Sequence, residues 1–258
     1  MRDGVPPGGP LVRARFDLAN HAAGNAAGAC AIELSGTLEV AARGGRITIA
    51  DDVAGAVNLA EGERHVVSTE GRARARYLAL AGGIEAPVVL GGRGALLVAG
   101  IGGLLRRGAR LVPLERATSA EARGGAPPAG SSTAAEGSSA PHDSFDDAPP
   151  ILLMPGPDAS DASRDALASR LFRVSAASDR TGTRLDGLAP STTDIASHAQ
   201  RSTPMVLGAI ELTPSGLIVL GPDHPTTGGY PVVAVVRSSS LDRFFERPIG
   251  APVRFVFS

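Results

Sequence analysis

Apolar residues in this chain come in short runs, and turn residues close off nearly every run. That arrangement limits the fold more than any single motif does. Arg46-Ile47-Thr48-Ile49-Ala50 alternates polar and apolar residues, and Arg76-Tyr77-Leu78-Ala79-Leu80 does so more weakly. Alternation with a period of two suits strands that bury one face. The 33 Gly and 20 Pro among 258 residues supply the turns and leave little room for long helices. A mostly β chain follows.

Further strands are expected at Val88-Val89-Leu90 behind Pro87, at Ala95-Leu96-Leu97-Val98 and at Arg110-Leu111-Val112-Pro113-Leu114. Their spacing fits a barrel or a sandwich. A helix is expected ahead of the strands, over about Val12 to Ala23. Phe16, Leu18 and Ala19 form its buried face, and Gly24-Asn25 ends it. Residues 116–149 differ in kind. Rich in Ala, Ser, Gly, Pro and acids, they cannot bury enough surface to offset their ordering entropy, so they read as a flexible linker. His142, Asp143, Asp146 and Asp147 inside it make a solvated acidic patch or, less simply, a cation site.

After the linker, strands return at Ile151–Met154, Leu171–Val174, Val206–Leu212, Leu217–Leu220, Pro231–Val236 and Val253–Phe257. A short helix is expected around Arg164–Ser169. Another, capped by Ser239 or Ser240, covers Leu241–Phe245 and stops before Pro248. The chain thus divides into a β-rich half at 1–115, the linker at 116–149, and a β-barrel half at 150–258.

Composition narrows the chemistry. Aromatics make up 3% of the chain and Trp is absent, so Val, Leu, Ile and Ala must fill most of the core. The net charge of −1 argues against a nucleic-acid surface. There is no lysine, so no phosphate-loop lysine exists and no biotin can be attached to this chain. The lone Cys30, in the apolar run Ala29-Cys30-Ala31-Ile32, reads as a buried inert thiol in a reducing compartment. The five histidines, His21, His65, His142, His198 and His224, show no metal-ligand spacing. The opening residues Met1–Pro7 lack the apolar stretch of a signal peptide, and the most apolar run, Ala86–Leu105, is broken by Arg93 and many Gly. A cytoplasmic location follows as the expectation, without a membrane span.

Three segments concentrate polar and turn residues between apolar strands: Gly82 to Arg93, Ser178 to Leu185, and Pro222 to Pro231. Each has a plain reading as a hairpin turn, a surface ion pair or a capped turn. Together they suggest one site. Arg93, Arg180 and Arg184 can grip a carboxylate or phosphate with two parallel hydrogen bonds. Thr226, Thr227 and the amides around Gly228-Gly229 can form an anion nest or oxyanion donors.

In this order the segments resemble the biotin-dependent carboxyltransferase-like family, which takes in the C subunit of 5-oxoprolinase, allophanate hydrolase subunit 2 and the antagonists of Kip-type kinase inhibitors. The likeness begins at Gly4-Val5-Pro6-Pro7-Gly8-Gly9 and takes in Leu18-Ala19-Asn20, Gly24-Asn25 and Glu33. It continues through Tyr77–Ile84, Leu90-Gly91 and Arg93, then Phe172–Ser175, Ser178-Asp179-Arg180 and Arg184–Gly187. It closes with Gly208-Ala209-Ile210, Asp223 and the run Thr226-Thr227-Gly228-Gly229-Tyr230-Pro231.

The resemblance implies a cyclophilin-like β-barrel with a few short helices. It implies a component of an ATP-dependent 5-oxoprolinase, inactive alone, that works with two partners, one of the Kip-inhibitor type and one of the lactam-utilisation type. It marks Arg93, Asp179, Arg184 and Asp223 as catalytic and Arg180, Thr226, Thr227, Gly228, Gly229 and Tyr230 as substrate-binding, with no metal. Two other readings stand beside it: a carboxyltransferase component served by biotin on a separate chain, and a non-catalytic binding or regulatory module. The chain departs from the family pattern at Gly91-Gly92-Arg93-Gly94-Ala95, at Ser202-Thr203-Pro204, at Glu211 and at His224-Pro225. It also reads as an N-terminally short member, because Met1 stands almost at the Pro-Pro-Gly-Gly turn.

Overall fold

The structure, a computed structural model, describes residues 4–114, 148–188 and 202–258. The expected linker falls outside the described residues except for its last two positions, as do His142, Asp143, Asp146, Asp147 and His198.

The chain is mostly β, as the short alternating runs require. The first helix, α1 (Arg13–Ala22), starts and stops within a residue of its expected span. Its N-cap, Val12, has no side chain that can accept from the first turn. Asp242 takes that role from far along the chain, accepting from the amides of Arg13 (2.7 Å) and Ala14 (3.2 Å). Phe16 packs edge-on against Tyr77, with ring centroids 6.0 Å apart, and Ala19 is buried. Leu18, expected on the buried face, instead faces solvent at 48% exposure. It lies off the stripe that Phe16, Ala19 and Ala23 form at helical spacing.

Six strands follow: β1 (Ile32–Leu34), β2 (Thr37–Ala41), β3 (Ile47–Asp51), β4 (Gly55–Leu59), β5 (Arg64–Ser68) and β6 (Arg76–Leu80). They form an antiparallel sheet in the order β1-β6-β3-β4 and a separate β2-β5 pair. Ile49, Leu59, Val67, Leu78 and Leu80 are packed together between them.

The strands expected at 88–90, 95–98 and 110–114 do not form. That segment holds a single turn of 3-10 helix at Leu97–Ala99 and the isolated bridges Ile84↔Pro113, Val89↔Gly92 and Leu96↔Ile101. Strand preference is largely a preference for packing on a pleated, half-buried surface. Here Val88, Leu90, Val98 and Leu104 are exposed and have no sheet to pack on. Gly91, Gly100, Gly102 and Gly108 all adopt positive φ and bend the chain out of extension.

The second half contains β7 (Ile151–Pro155), α2 (Asp161–Ser169), β8 (Phe172–Val174), β9 (Gly182–Asp186), β10 (Thr203–Pro204), β11 (Ala209–Thr213) and β12 (Gly216–Leu220). After these come β13 (Thr227–Gly228), β14 (Val232–Val236), α3 (Ser238–Phe245), β15 (Pro252–Val253) and β16 (Phe255–Phe257). Eight of the strands form one sheet in the order β15-β8-β9-β12-β11-β14-β7-β16. Its edge strands β15 and β16 are separated by Arg254 alone, so the sheet curls into a nearly closed barrel. All its pairings are antiparallel except β16 with β7. The small β10-β13 ladder stands beside it.

Ser160 and Ser163 cap α2 reciprocally. Neither Ser239 nor Ser240 caps α3, which begins behind Arg237 with no side-chain cap. Ser240 lies within the helix, fully buried, and its Oγ accepts from the amide of Leu152 at 3.2 Å.

Both halves share the largest apolar core. Leu11, Val12, Ala19 and Tyr77 from the first half meet Ile151, Leu185, Val219 and Val253 from the second. The scarce aromatics are concentrated there: Phe172, Phe244, Phe245 and Phe255 are essentially inaccessible, and neighbouring ring centroids lie 5.1 to 6.4 Å apart. Rings are few in this chain, but they sit where they bury the most area.

Candidate functional site

The turn between β8 and β9 carries Ser178-Asp179-Arg180-Thr181. Asp179 Oδ1 accepts from the amides of Thr181 (2.8 Å) and Gly182 (3.0 Å), which fixes the turn. Beneath it, the buried Arg74 donates to the Asp179 carbonyl at 2.7 Å and to Thr183 Oγ1. Burial pulls the Arg74 guanidinium down to about 10, with the charges of Asp179 and Glu33 acting against that shift.

The turn aims Arg180 across the junction of the two halves. Its Nε and Nη2 donate to Asp223 at 2.8 and 2.9 Å, a two-pronged grip. Nη1 donates to Glu33 Oε1 at 2.5 Å, and Nη2 also donates to the Gly9 carbonyl at 2.7 Å. Burial works against the Arg180 charge, but the two carboxylates outweigh it and raise its pKa above the ordinary arginine range. Glu33 Oε2 in turn accepts from Tyr77 Oη and from the amide of Leu11, each at 2.7 Å. Tyr77 Oη accepts from the Val12 amide at 2.8 Å. Burial, then the nearby Glu33 charge, raises the Tyr77 phenol and keeps it protonated. The Pro-Pro-Gly-Gly turn, β1, β6 and the β8–β9 turn are thereby held together.

Two clefts open on either side of this brace, and Thr181 and Pro225 line both. The first, of 310 Å³, lies between Val5, Pro6, Leu96, Val98, Asp223 and His224. His224 is buried, and its Nδ1 lies 2.7 Å from the Pro225 carbonyl. The second, of 230 Å³, runs over the outer face of the barrel sheet past Asp179, Gly182, Arg184, Glu211 and Ile218. Arg184 is exposed there and donates to Ser215 Oγ at 3.0 Å.

The expected site residues therefore fall into groups. Asp179, Arg180, Arg184 and Asp223 converge on one corner of the molecule. Arg93 stands apart: it lines neither cleft and donates to the Ala86 carbonyl at 3.1 Å. Cys30 beside it is half-buried, with its thiol pushed up by burial against the pull of Arg93.

In the Thr-Thr-Gly-Gly-Tyr-Pro run, Thr227 and Gly228 form β13, paired with Pro204 and Thr203. The Thr226 carbonyl accepts from the Met205 amide at 3.0 Å. Tyr230 is 44% exposed. None of Thr226–Tyr230 lines a cleft, although Pro225 just before them lines both.

Three contributors are not marked by chemistry in the sequence: Arg74, Tyr77 and Glu211. Of these, Glu211 leaves a signal, as a carboxylate in an otherwise apolar strand. Among the described residues, no group of three or more His, Cys, Asp or Glu is placed to hold a metal ion. No helix among them is long and apolar enough to cross a membrane.

Comparison with known proteins agrees with this architecture. The family described as carboxyltransferase domain, subdomain A and B, matches residues 3–257. The chain is 32% identical over 192 residues to the C subunit of 5-oxoprolinase from Escherichia coli (strain K12), covering 70% of this chain and 55% of that one. It thus spans about half the length of this curated relative. Among solved structures, TTHA0988 superposes with a TM-score of 0.71 at 26% identity, over 98% of this chain and 51% of that one. Kluyveromyces lactis urea carboxylase superposes with a TM-score of 0.77 at 22% identity, over 98% of this chain and 25% of that one, a likeness of fold. With a family match across nearly its whole length, the chain belongs to the carboxyltransferase domain family, subdomain A and B.

Proposed function

We propose that this chain serves as the C-type component of an ATP-dependent 5-oxoprolinase in the cytoplasm. The observation carrying this reading is the 32% identity to the C subunit of 5-oxoprolinase. The enzyme opens the 5-oxoproline lactam to glutamate, and ATP acts through the assembled complex. One partner of the Kip-inhibitor type and one of the lactam-utilisation type complete it. An unstrained amide resists opening until its oxygen is activated, and a site for that step must stabilise negative charge.

The second cleft supplies the means. Arg184 holds an anion at its mouth, and Asp179 and Thr181 set the polar edge. Arg180 is committed to Asp223 and Glu33, so it braces the site and presents the Asp223 carboxylate to the first cleft.

The test is co-expression with both partners and measurement of glutamate release. The complex releases glutamate from 5-oxoproline with ATP, whereas this chain alone hydrolyses neither. Arg184→Met lowers release at least roughly tenfold, the loss of one charged contact, while assembly persists on size exclusion. Turnover by the single chain, or full activity in Arg184→Met, sinks the proposal. A biotinylated partner that supports carboxyl transfer points instead to the carboxyltransferase reading, with biotin on another chain.

A further inference from the structure

Glu211 does not belong to the brace, yet it is placed like a working residue. It lies on β11 directly across from Ile218 of β12, and Ile218 lies directly across from Arg184 of β9. Paired residues on neighbouring strands point to the same face, so Glu211 and Arg184 flank Ile218 on the outer surface of the barrel. Two strand spacings separate their backbones by about 10 Å. No ion pair joins the two side chains: Arg184 turns to Ser215 instead.

Glu211 is 6% exposed, lines the second cleft, and has no hydrogen-bond or ion-pair partner among the described residues. Its carboxyl oxygens are not sealed away from solvent; they open on the second cleft, where a ligand can reach them. The sheet is also distorted at this point: the register between β11 and β14 shifts between Ile210 and Glu211. Bulges of this kind re-aim side chains next to binding sites.

The space around it is shaped by glycine. A Cβ on Gly228 would come within 2.8 Å of Glu211 Oε1 and 2.7 Å of Met205 Cε. A Cβ on Gly182 would come within 2.5 Å of Ile218 Cγ2 on the cleft floor. Gly228 of the Thr-Thr-Gly-Gly-Tyr-Pro run therefore packs close to the Glu211 carboxyl, where a side chain would not fit.

We propose that Glu211 and Arg184 form the two ends of a subsite for a small carboxylic acid that also carries an amide or ketone oxygen. Arg184 takes the carboxylate, and the Glu211 carboxyl donates a hydrogen bond to the oxygen at the other end. The proposal deepens the 5-oxoprolinase reading and rests on it for the choice of probe. Burial raises the Glu211 pKa, which favours the protonated, donating form. The charged groups facing it among the described residues are Arg184 and Asp179. The residue after β10, together with β13 and β14, presents Met205, Gly228 and Val232 to it, none of them titratable.

The test is calorimetric titration of the full chain with 5-oxoproline, with cyclopentanecarboxylate, which lacks the ring oxygen, and with 2-pyrrolidinone, which lacks the carboxylate. The expected order is 5-oxoproline tightest, with each analogue at least roughly tenfold weaker, one hydrogen bond to a charged or donating group being lost. Glu211→Leu abolishes the preference for 5-oxoproline over cyclopentanecarboxylate. Glu211→Gln keeps that preference and removes its pH dependence. Arg184→Gln abolishes the preference over 2-pyrrolidinone. Circular dichroism checks that each variant is folded, and a variant that fails to fold is replaced by Glu211→Met.

No binding by the wild-type chain, or preferences unchanged in Glu211→Leu, overturns the proposal. Glutamate release by the complex separates the two ideas. Full release with Glu211→Leu defeats the subsite and leaves the enzyme reading standing. Selective binding without any release does the reverse.

Discussion

Replacing Arg180 with methionine tests the brace directly. The substitution keeps an unbranched side chain of similar reach and removes every donor. Asp223, with its side chain 8% exposed, and Glu33, at 23%, then face each other with no countercharge at this point. Breaking a fully buried pair from one side costs about 3–5 kcal/mol, because the surviving charge is left buried and unpaired. Arg180 itself is 30% exposed, so water screens part of the loss and about 2 kcal/mol is the fitting figure. For a chain of this size that lowers Tm by about 4–8 °C.

Arg184→Met is the natural control. It removes a single hydrogen bond, to Ser215, from an exposed arginine, and costs within about 0.5 kcal/mol. Thermal melts by circular dichroism read both. The reasoning also demands non-additivity: in the Arg180→Met background, Asp223→Asn restores part of the lost stability, because it removes the orphaned charge. Equal losses for the two arginines, or a double variant worse than the sum of its parts, would refute it.

Other outcomes can be checked with the same melts. Asp242→Ala uncaps α1 and costs about 1 kcal/mol, the usual worth of an N-cap acceptor. Gly228→Ala drives a methyl group into Met205 and Glu211 and costs about 1–3 kcal/mol, whereas Gly229→Ala, with open space around it, is nearly neutral. Glu211→Gln separates from wild type in a pH-dependent way. Burial raises the Glu211 pKa above its ordinary 4.5, so the fold favours the protonated form. Wild-type stability from this group is complete below that value and is lost as pH rises through the folded pKa. The stability advantage of Glu211→Gln therefore grows as pH rises above the ordinary 4.5 and through the raised folded pKa, and a difference that stays constant with pH would contradict the assignment.

Elements with local signals are readable in the sequence. α1 and β6 are legible because Phe16, Ala19 and Ala23 share a helical stripe and because Tyr77 to Leu80 enter a shared core. Segment 82–114 misleads because apolar, β-prone residues announce a strand whether or not a sheet exists to receive them. β2, β4 and β5 escape notice in turn, since their faces are only half-buried and Glu39, Asn58 and Arg64 interrupt the apolar pattern.

At the site, the motif residues Arg180 and Asp223 are recognisable, but their mutual grip is not. Neither is the junction role of Tyr77, whose partners Val12 and Glu33 lie 65 and 44 residues away in sequence. Spacing along the chain carries no information about contacts made only after both halves have met.

The cap on α1 has a further consequence, for the order in which the chain acquires its structure during synthesis. Its first turn is held by Asp242, 229 residues downstream, and Arg15 on the same helix pairs with Glu246. A ribosome must translate more than 220 residues beyond the first turn of α1 before either partner exists. Until then α1 emerges as a short helix with its first amides open, too short to persist in water by itself. The nascent α1 therefore waits, with its first turn unfastened, for α3 to arrive. Stalling translation just before α3 would leave α1 cleavable by protease on the ribosome, and releasing the stall would protect it.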